Sequence, residues 1–150
     1  MDDTDLEILS ILREKARVPN VEVARQVGMA PSAVLERIRK LEKQGYIDGY
    51  EVRLNPRRFN RDLVAFVTVH VGALDDRTDD AAKKLAAIPE VQEVHFVSGE
   101  DALLLKLRVA DTRHLGRILR EQISPKQFVK ATRTAVVLFT YKETARFSFE

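Results

Sequence analysis

The chain has 150 residues, of which 45% are hydrophobic and 32% are charged, and it contains no cysteine. This length allows one domain of ordinary size or two small ones. The lack of cysteine excludes disulfides and thiolate metal sites, and no apolar run is long enough to span a membrane. The opening residues Met-Asp-Asp-Thr-Asp lack the basic and apolar regions of a secretory signal. We therefore expect a cytoplasmic protein with no membrane partner.

The formal net charge of +2 is unevenly distributed along the chain. Residues 13–61 carry 12 Lys and Arg against 6 Asp and Glu, whereas residues 62–150 carry 13 of each. A basic segment beside a neutral one is typical of a polyanion-binding unit attached to a second module.

Two helices are predicted at the start of the chain. The first is predicted over Asp2–Lys15, where Asp2 can cap it and leucines recur on its inward face. The second is predicted over Val21–Val27, with Asn20 as its cap and Gly28 as a left-handed stop.

A third, amphipathic helix follows three residues later. Pro31 suits its first position and Gly45 suits the position just past its end. Its apolar residues Val34, Ile38 and Leu41 lie on one face, and the opposite face is polar and mostly basic. A short helix, a tight turn containing glycine and a second helix with an exposed basic face predict a helix-turn-helix.

Tyr46–Leu54 contains two strand-like runs around Asp48-Gly49, which predicts a β-hairpin. That hairpin would be the wing of a winged helix. We place a DNA-binding domain at residues 1–54, a basic linker at 55–61 and a second domain at 62–150.

The second domain alternates strands and helices. The predicted strands are Leu63–Val71, Val91–Ser98, Ala102–Val109 and Thr132–Lys142. The predicted helices are Asp79–Ile88 and a later one capped by Asp111 or Thr112. The order β-α-β-β-α-β predicts a ferredoxin-like sandwich, and the whole chain is then of the α+β class.

Two helices can cover only one face of such a sheet. On the first strand the other face carries Val64, Phe66, Thr68 and His70, and the last strand is apolar on both faces. Exposed apolar patches of this size mark interfaces. We infer a homodimer packed through the open face of the sheet.

The chain resembles the Lrp/AsnC family, the feast/famine transcription regulators, over nearly all of its length. In the first domain the matching residues are Asp2, Asp5, Ile8, Leu9, Ala16-Arg17, Ala24, Val27-Gly28-Met29, Arg37-Ile38, Leu41, Gly45, Ile47 and Gly49-Tyr50. In the second domain they are Val97-Ser98-Gly99, Leu103-Leu104-Leu105-Lys106, Thr134, Val137-Leu138 and Lys142-Glu143-Thr144. The resemblance implies binding of double-stranded DNA by dimers, often assembled into tetramers or octamers. It also implies a small effector, commonly an amino acid, at the interfaces between dimers.

Three positions depart from the family pattern. Ala30 stands where serine is frequent, so the third helix loses a side-chain cap. Asn60 stands where the linker commonly has glycine, and asparagine is the next-best residue for a left-handed conformation. One residue separates Gly99 from Asp101, where many members have two. Either Asp101 reaches the same place from a tighter turn, or the effector is unusual or absent.

The DNA contacts predicted from the helix-turn-helix fall into two groups. The candidates for base contact in the major groove are Ser32, Ala33, Glu36 and Arg39. The candidates for phosphate contact are Lys40, Lys43, Arg53, Arg57 and Arg58. Arg37 lies nearer the buried face and has either a DNA role or a structural one. For each of them the alternative is a solvated surface group.

The predicted effector site is the turn between the second and third strands. Backbone N–H groups of Gly99 and Glu100 would bind a carboxylate and Asp101 an ammonium group, with Thr132 or Thr134 donating from the last strand. Ser98 and Ala102 flank this turn. The alternative is a plain β-turn, where glycine and aspartate are common.

The three histidines, His70, His95 and His114, have no metal-ligand spacing, and no nucleophile or phosphate-loop motif is present. We therefore expect no enzymatic activity, no metal and no cofactor. Two alternatives stay open: an effector-independent architectural DNA-binding protein, and an enzyme like the tetrapyrrole decarboxylases that share this two-domain plan.

Overall fold

The computed structural model describes residues 1–149, which form two compact units. The first unit comprises Met1–Leu54 together with residues 144–149, and the second comprises Asn55–Glu143. None of the helices in residues 1–149 combines the length and the apolar character that a membrane span requires.

Three helices form the first unit: α1 (Asp3–Glu14), α2 (Asn20–Val27) and α3 (Pro31–Lys43). Their inward stripes meet in one apolar core, in which no side chain is more than 8% exposed. Its buried members are Ile8, Leu12, Val23, Ala24, Val34, Ile38 and Leu41. The predicted apolar face of α3 is therefore confirmed.

The ends of α1 and α2 follow the prediction at two places and differ at one. The Asp2 carboxylate accepts a hydrogen bond from Asp5 N at 2.9 Å, which confirms Asp2 as the cap of α1. Gly28 is left-handed at φ 67° and ends α2, as predicted. The prediction of Asn20 as a cap is wrong, because Pro19 occupies that position. Proline fixes φ near −65°, and Pro19 has the extended backbone of a cap at φ −63° and ψ 142°.

Gly45 ends α3 through a pair of crossed backbone hydrogen bonds. Gly45 N donates to Glu42 O at 3.0 Å and Tyr46 N donates to Leu41 O at 2.9 Å. This is the Schellman arrangement, which requires a left-handed residue, and Gly45 has φ 75°. The predicted position of Gly45 is confirmed.

The predicted hairpin over Tyr46–Leu54 is wrong. No residue of this segment, all of which the structure describes, belongs to a β-strand. A two-residue hairpin turn of type I′ needs positive φ at both central residues, and neither Asp48 nor Gly49 has one. A two-stranded ribbon without a third strand or a covering helix is also only marginally stable in water.

The second unit has four strands and two α-helices. The strands are β1 (Leu63–His70), β2 (Val91–Val97), β3 (Ala102–Val109) and β4 (Ala131–Val136). The helices are α4 (Asp76–Ala86) and α5 (Thr112–Ile118), and α5 continues as a π-helical turn over Leu119–Ile123. The sheet is antiparallel with the order β2-β3-β1-β4, which confirms the ferredoxin-like βαββαβ arrangement.

Two boundaries in the second unit differ from the prediction. Helix α4 starts at Asp76 rather than Asp79, because Asp75 and Thr78 form a capping box. Strand β4 ends at Val136 rather than Lys142. Val137 N donates to Val64 O at 2.9 Å, and β1 begins only one residue earlier, so the ladder has no further partner.

The side chains of strand β1 alternate between the two faces of the sheet. Ala65, Val67 and Val69 are fully buried in the core beneath the helices, as predicted. On the open face Val64 and Thr68 are only 6% and 9% exposed, so within one chain less of that face is exposed to solvent than predicted. Phe66 remains 38% exposed there.

Candidate nucleic-acid interface and effector site

Helix α3 presents a polar, mostly basic face away from its buried stripe. The exposed side chains on it are Ser32, Glu36, Arg39, Lys40 and Lys43, and Ala33 is half-buried. Three cations against one carboxylate make this face attractive to phosphate. The cap of α3 is Ala30, which offers no side-chain hydrogen bond, and Pro31 stands at the first turn. The structure therefore confirms that α3 lacks the side-chain cap that a serine at position 30 would provide.

Arg37 is held by the start of α1. Its Nη1 lies 2.7 Å from Asp5 Oδ1 and 2.9 Å from Asp2 Oδ2, and its side chain is 31% exposed. Hydrogen bonds from Asp5 N and from Arg37, in that order, lower the pKa of Asp2. One guanidinium thus ties α3 to the cap of α1, which favours the structural role of Arg37.

A second contact joins α3 to the segment that follows it. Tyr50 Oη donates to Glu42 Oε1 at 2.9 Å. Partial burial and then this hydrogen bond raise the pKa of Tyr50 to about 12. The irregular segment after α3 is therefore anchored although it forms no strand.

The other predicted phosphate contacts lie in two different units. Arg53 is exposed in the irregular segment of the first unit. Arg57 and Arg58 belong to the second unit, in the 3₁₀ turn Pro56–Phe59, which ends at the left-handed Asn60 with φ 52°. This confirms the expected conformation of Asn60. Arg57 Nε also lies 3.3 Å from Asp62 Oδ1.

The predicted effector turn joins β2 to β3. Ser98, Gly99, Glu100 and Asp101 form it, and all four are exposed. Gly99 and Asp101 have positive φ, at 86° and 49°. A left-handed aspartate is uncommon, and such conformations cluster at ligand sites.

The turn is tied to both neighbouring strands. Glu100 O lies 3.3 Å from His70 Nδ1 on β1, and Glu100 Oε1 lies 3.5 Å from Arg133 Nη2 on β4. Sequence reasoning missed His70 and Arg133 as neighbours of this turn. The sequence did carry a signal for Arg133, because this cation stands between Thr132 and Thr134, which were both predicted to contact the effector.

Thr132 and Thr134 lie on the opposite face of β4 from Arg133. They pair with Val69 and Val67, whose side chains point to the helices, and successive side chains on a strand alternate between faces. The structure therefore brings the Glu100 carboxylate to Arg133 and leaves both threonine side chains on the other side of the strand.

The other two histidines pair with carboxylates. His95 Nε2 lies 3.2 Å from Glu93 Oε2, and His114 Nε2 lies 3.2 Å from Glu90 Oε1. A carboxylate beside His95 disfavours the binding of a tetrapyrrole propionate there. Among residues 1–149 no three or more His, Asp or Glu side chains are grouped so as to hold a metal ion.

Two family models match the two parts of the chain. Residues 1–48 match a winged helix-turn-helix DNA-binding model, and residues 64–147 match the Lrp/AsnC ligand binding domain. The chain is 39% identical to the leucine-responsive regulatory protein of Escherichia coli K12, over 97% of this chain and 90% of that protein.

Two solved structures are similar to nearly the whole chain. The transcriptional regulator NMB0573 of Neisseria meningitidis, in complex with L-methionine, has a TM-score of 0.92 at 29% identity. The alignment covers 99% of this chain and 96% of that regulator's chain. The feast or famine regulatory protein Rv3291c of Mycobacterium tuberculosis, also complexed with L-methionine, has a TM-score of 0.85 at 34% identity, with 97% of each chain covered. With both domain models matched in order along one chain, this protein belongs to the Lrp/AsnC family of transcriptional regulators.

Proposed function

We propose that α3 reads DNA and that an amino acid bound near the β2–β3 turn modulates the DNA affinity. The observation that carries the first part is the exposed basic face of α3. The opposite face of α3 packs into the buried apolar core of the helix-turn-helix. The second part is supported by the left-handed turn in the domain that matches a ligand-binding model.

The DNA contacts divide by chemistry. Arg39 can donate two hydrogen bonds to a guanine, and Glu36 can accept one from a cytosine amino group. Ser32 and Ala33 stand at the start of the helix, where the recognition helices of such motifs approach base edges. Lys40 and Lys43 lie in the last turn and suit phosphate. Arg37 acts through Asp2 and Asp5, as a residue that orients α3.

A second copy of the chain completes the regulator. Large side chains at and beyond the end of β4 are exposed, with Leu138 at 82%, Phe139 at 77% and Tyr141 at 96%. Phe66 on the open face is also exposed, at 38%, and exposed apolar side chains of this number are typical of residues that an interface buries. Two copies of α3 in a dimer would address half-sites spaced by about one turn of DNA, roughly 34–36 Å, or its multiples.

The proposed effector carries both an ammonium and a carboxylate group. Asp101 is exposed and suits the ammonium group, and the N–H groups of Gly99 and Glu100 suit the carboxylate. L-methionine occupies two of the similar regulators and is the first amino acid to test. Its binding would shift assembly and DNA affinity by a coupling free energy between two sites.

The test is selection of bound genomic DNA fragments with and without a pool of twenty amino acids. We expect a sequence motif repeated with two-fold symmetry and an occupancy that changes with the pool. Light scattering at micromolar protein should show a dimer or a larger assembly. A monomer would refute the proposed interface, and fragments without a shared motif would refute specific reading by α3.

The shortened turn supports one other function. With a single residue between Gly99 and Asp101, the effector site can be absent and the protein can act as an architectural DNA-binding protein. That function predicts salt-dependent binding with no sequence preference and no thermal shift with any amino acid.

A further inference from the structure

Residues 144–149, here termed the strap, lie against α1 of the first unit. Arg146 Nη1 lies 2.9 Å from Glu14 Oε2, and Arg146 Nη2 donates to Glu14 O at 3.4 Å. Glu14 ends α1, where the last carbonyls have no partner within the helix and the helix dipole is negative. The Arg146 guanidinium therefore interacts favourably with both the Glu14 carboxylate and the carbonyl end of α1.

The neighbouring residue of α1 also contacts the strap. Arg13 Nη1 donates to Phe147 O at 3.3 Å, and the Arg13 guanidinium carbon lies 4.6 Å from the centre of the Phe149 ring. The rings of Phe147 and Phe149 pack edge to face with centres 6.3 Å apart. Two consecutive residues of α1 thus bind a cation, a carbonyl and an aromatic ring of the strap.

The residue before the strap is anchored to the other unit. Glu143 accepts from Arg108 Nη2 at 2.8 Å, and its Oε2 lies 3.5 Å from Lys106 Nζ. Both partners lie on β3. The chain therefore passes between the two units twice, at 54–55 and at 143–144, and both sides of the second crossing are held by charged contacts.

We propose that the end of α1 is a docking site for the strap, and that the docked strap transmits the state of the ligand-binding unit to the DNA-binding unit. The second part rests on the proposed function. Exposed ion pairs contribute little singly, and Arg146 and Glu14 are 52% and 64% exposed. Covalent attachment gives the strap a high effective concentration, so a few weak contacts suffice to dock it and also leave it releasable.

Docking can be read with one fluorophore, because the chain contains no tryptophan. Phe149→Trp places an indole beside Arg13, and we expect its emission to shift to the red when Arg13→Ala is added. Phe147→Trp is the matched reporter, since Phe147 is 74% exposed and Arg13 contacts its backbone carbonyl. Its emission should change little on the same substitution.

Transmission is tested in the full chain by reversing first the charge of Arg146 and then the charge of Glu14. Arg146→Glu should red-shift the emission of the Phe149→Trp reporter and reduce at least threefold the change in DNA affinity that L-methionine causes. Adding Glu14→Arg should restore both. The control is reversal of Arg25 and Glu22, an exposed pair at 2.7 Å on α2 that does not involve the strap, and it should change neither readout.

The outcomes separate the two proposals. An unchanged reporter in Arg146→Glu, or no restoration by Glu14→Arg, would overturn the docking site. A restored reporter with an unrestored methionine response would overturn transmission. If the unsubstituted chain shows no amino-acid response while the reporter follows the charge reversal, the effector part of the proposed function fails, transmission fails with it, and the docking site stands.

Discussion

Adjacent residues of α3 should respond in opposite ways to truncation. Ile38 is 6% exposed in the core of the first unit, whereas Arg39 is exposed on the polar face. Ile38→Ala removes three buried carbons, about 2.4 kcal/mol at roughly 0.8 kcal/mol per buried methylene. The cavity adds to this, so we expect a loss of about 2–5 kcal/mol in the free energy of unfolding.

Arg39→Ala should leave the folded state intact and weaken DNA binding. Loss of a bidentate base contact costs roughly 1–3 kcal/mol, which is about a 5- to 150-fold rise in Kd. Urea unfolding measures the first effect, and titration of a selected genomic fragment at a temperature where both variants are folded measures the second. Equal destabilisation by the two variants, or normal specific binding by Arg39→Ala, would refute the assigned faces of α3.

Three further changes test other parts of the structure. Asp111→Ala removes the N-cap of α5, which accepts from His114 N at 2.7 Å, and should cost about 1 kcal/mol of stability in urea unfolding. Asp101→Gly relieves a left-handed aspartate and should leave unfolding within about 1 kcal/mol of the parent chain while abolishing any thermal shift with L-methionine. The pKa of Tyr50 is about 12, so its contribution to stability is complete below the usual phenol pKa of 10.0 and is lost as the pH rises through 12. Absorbance titration at high pH should show Glu42→Gln lowering that pKa, and an unchanged curve would contradict the hydrogen bond between them.

Much of the fold follows from local patterns. The spacing of Val34, Ile38 and Leu41 predicted the buried face of α3 because helical periodicity brings such residues to one side. Asp2, Gly28 and Gly45 marked helix ends because capping and left-handed backbone depend on residue type. The alternation along β1 predicted which of its side chains lie beneath the helices.

The sequence prediction failed where a partner far along the chain decides the outcome. The end of β4 depends on where β1 begins. A hairpin over Tyr46–Leu54 would need a third strand or a covering helix to be stable, and no strand forms in that segment. The apolar residues beyond Val136 keep a strand-like pattern, but a strand needs a neighbour to pair with.

The sequence by itself determined the two-domain plan, the basic face of α3 and the composition of the β2–β3 turn, since these depend on residue type and short-range periodicity. Only the tertiary structure decided that Arg37 binds Asp2 and Asp5, that Arg133 reaches Glu100, and that the strap lies on α1. Each of these contacts joins charged side chains more than thirty residues apart. Charged residues have many possible partners in a sequence, and only the folded backbone selects among them.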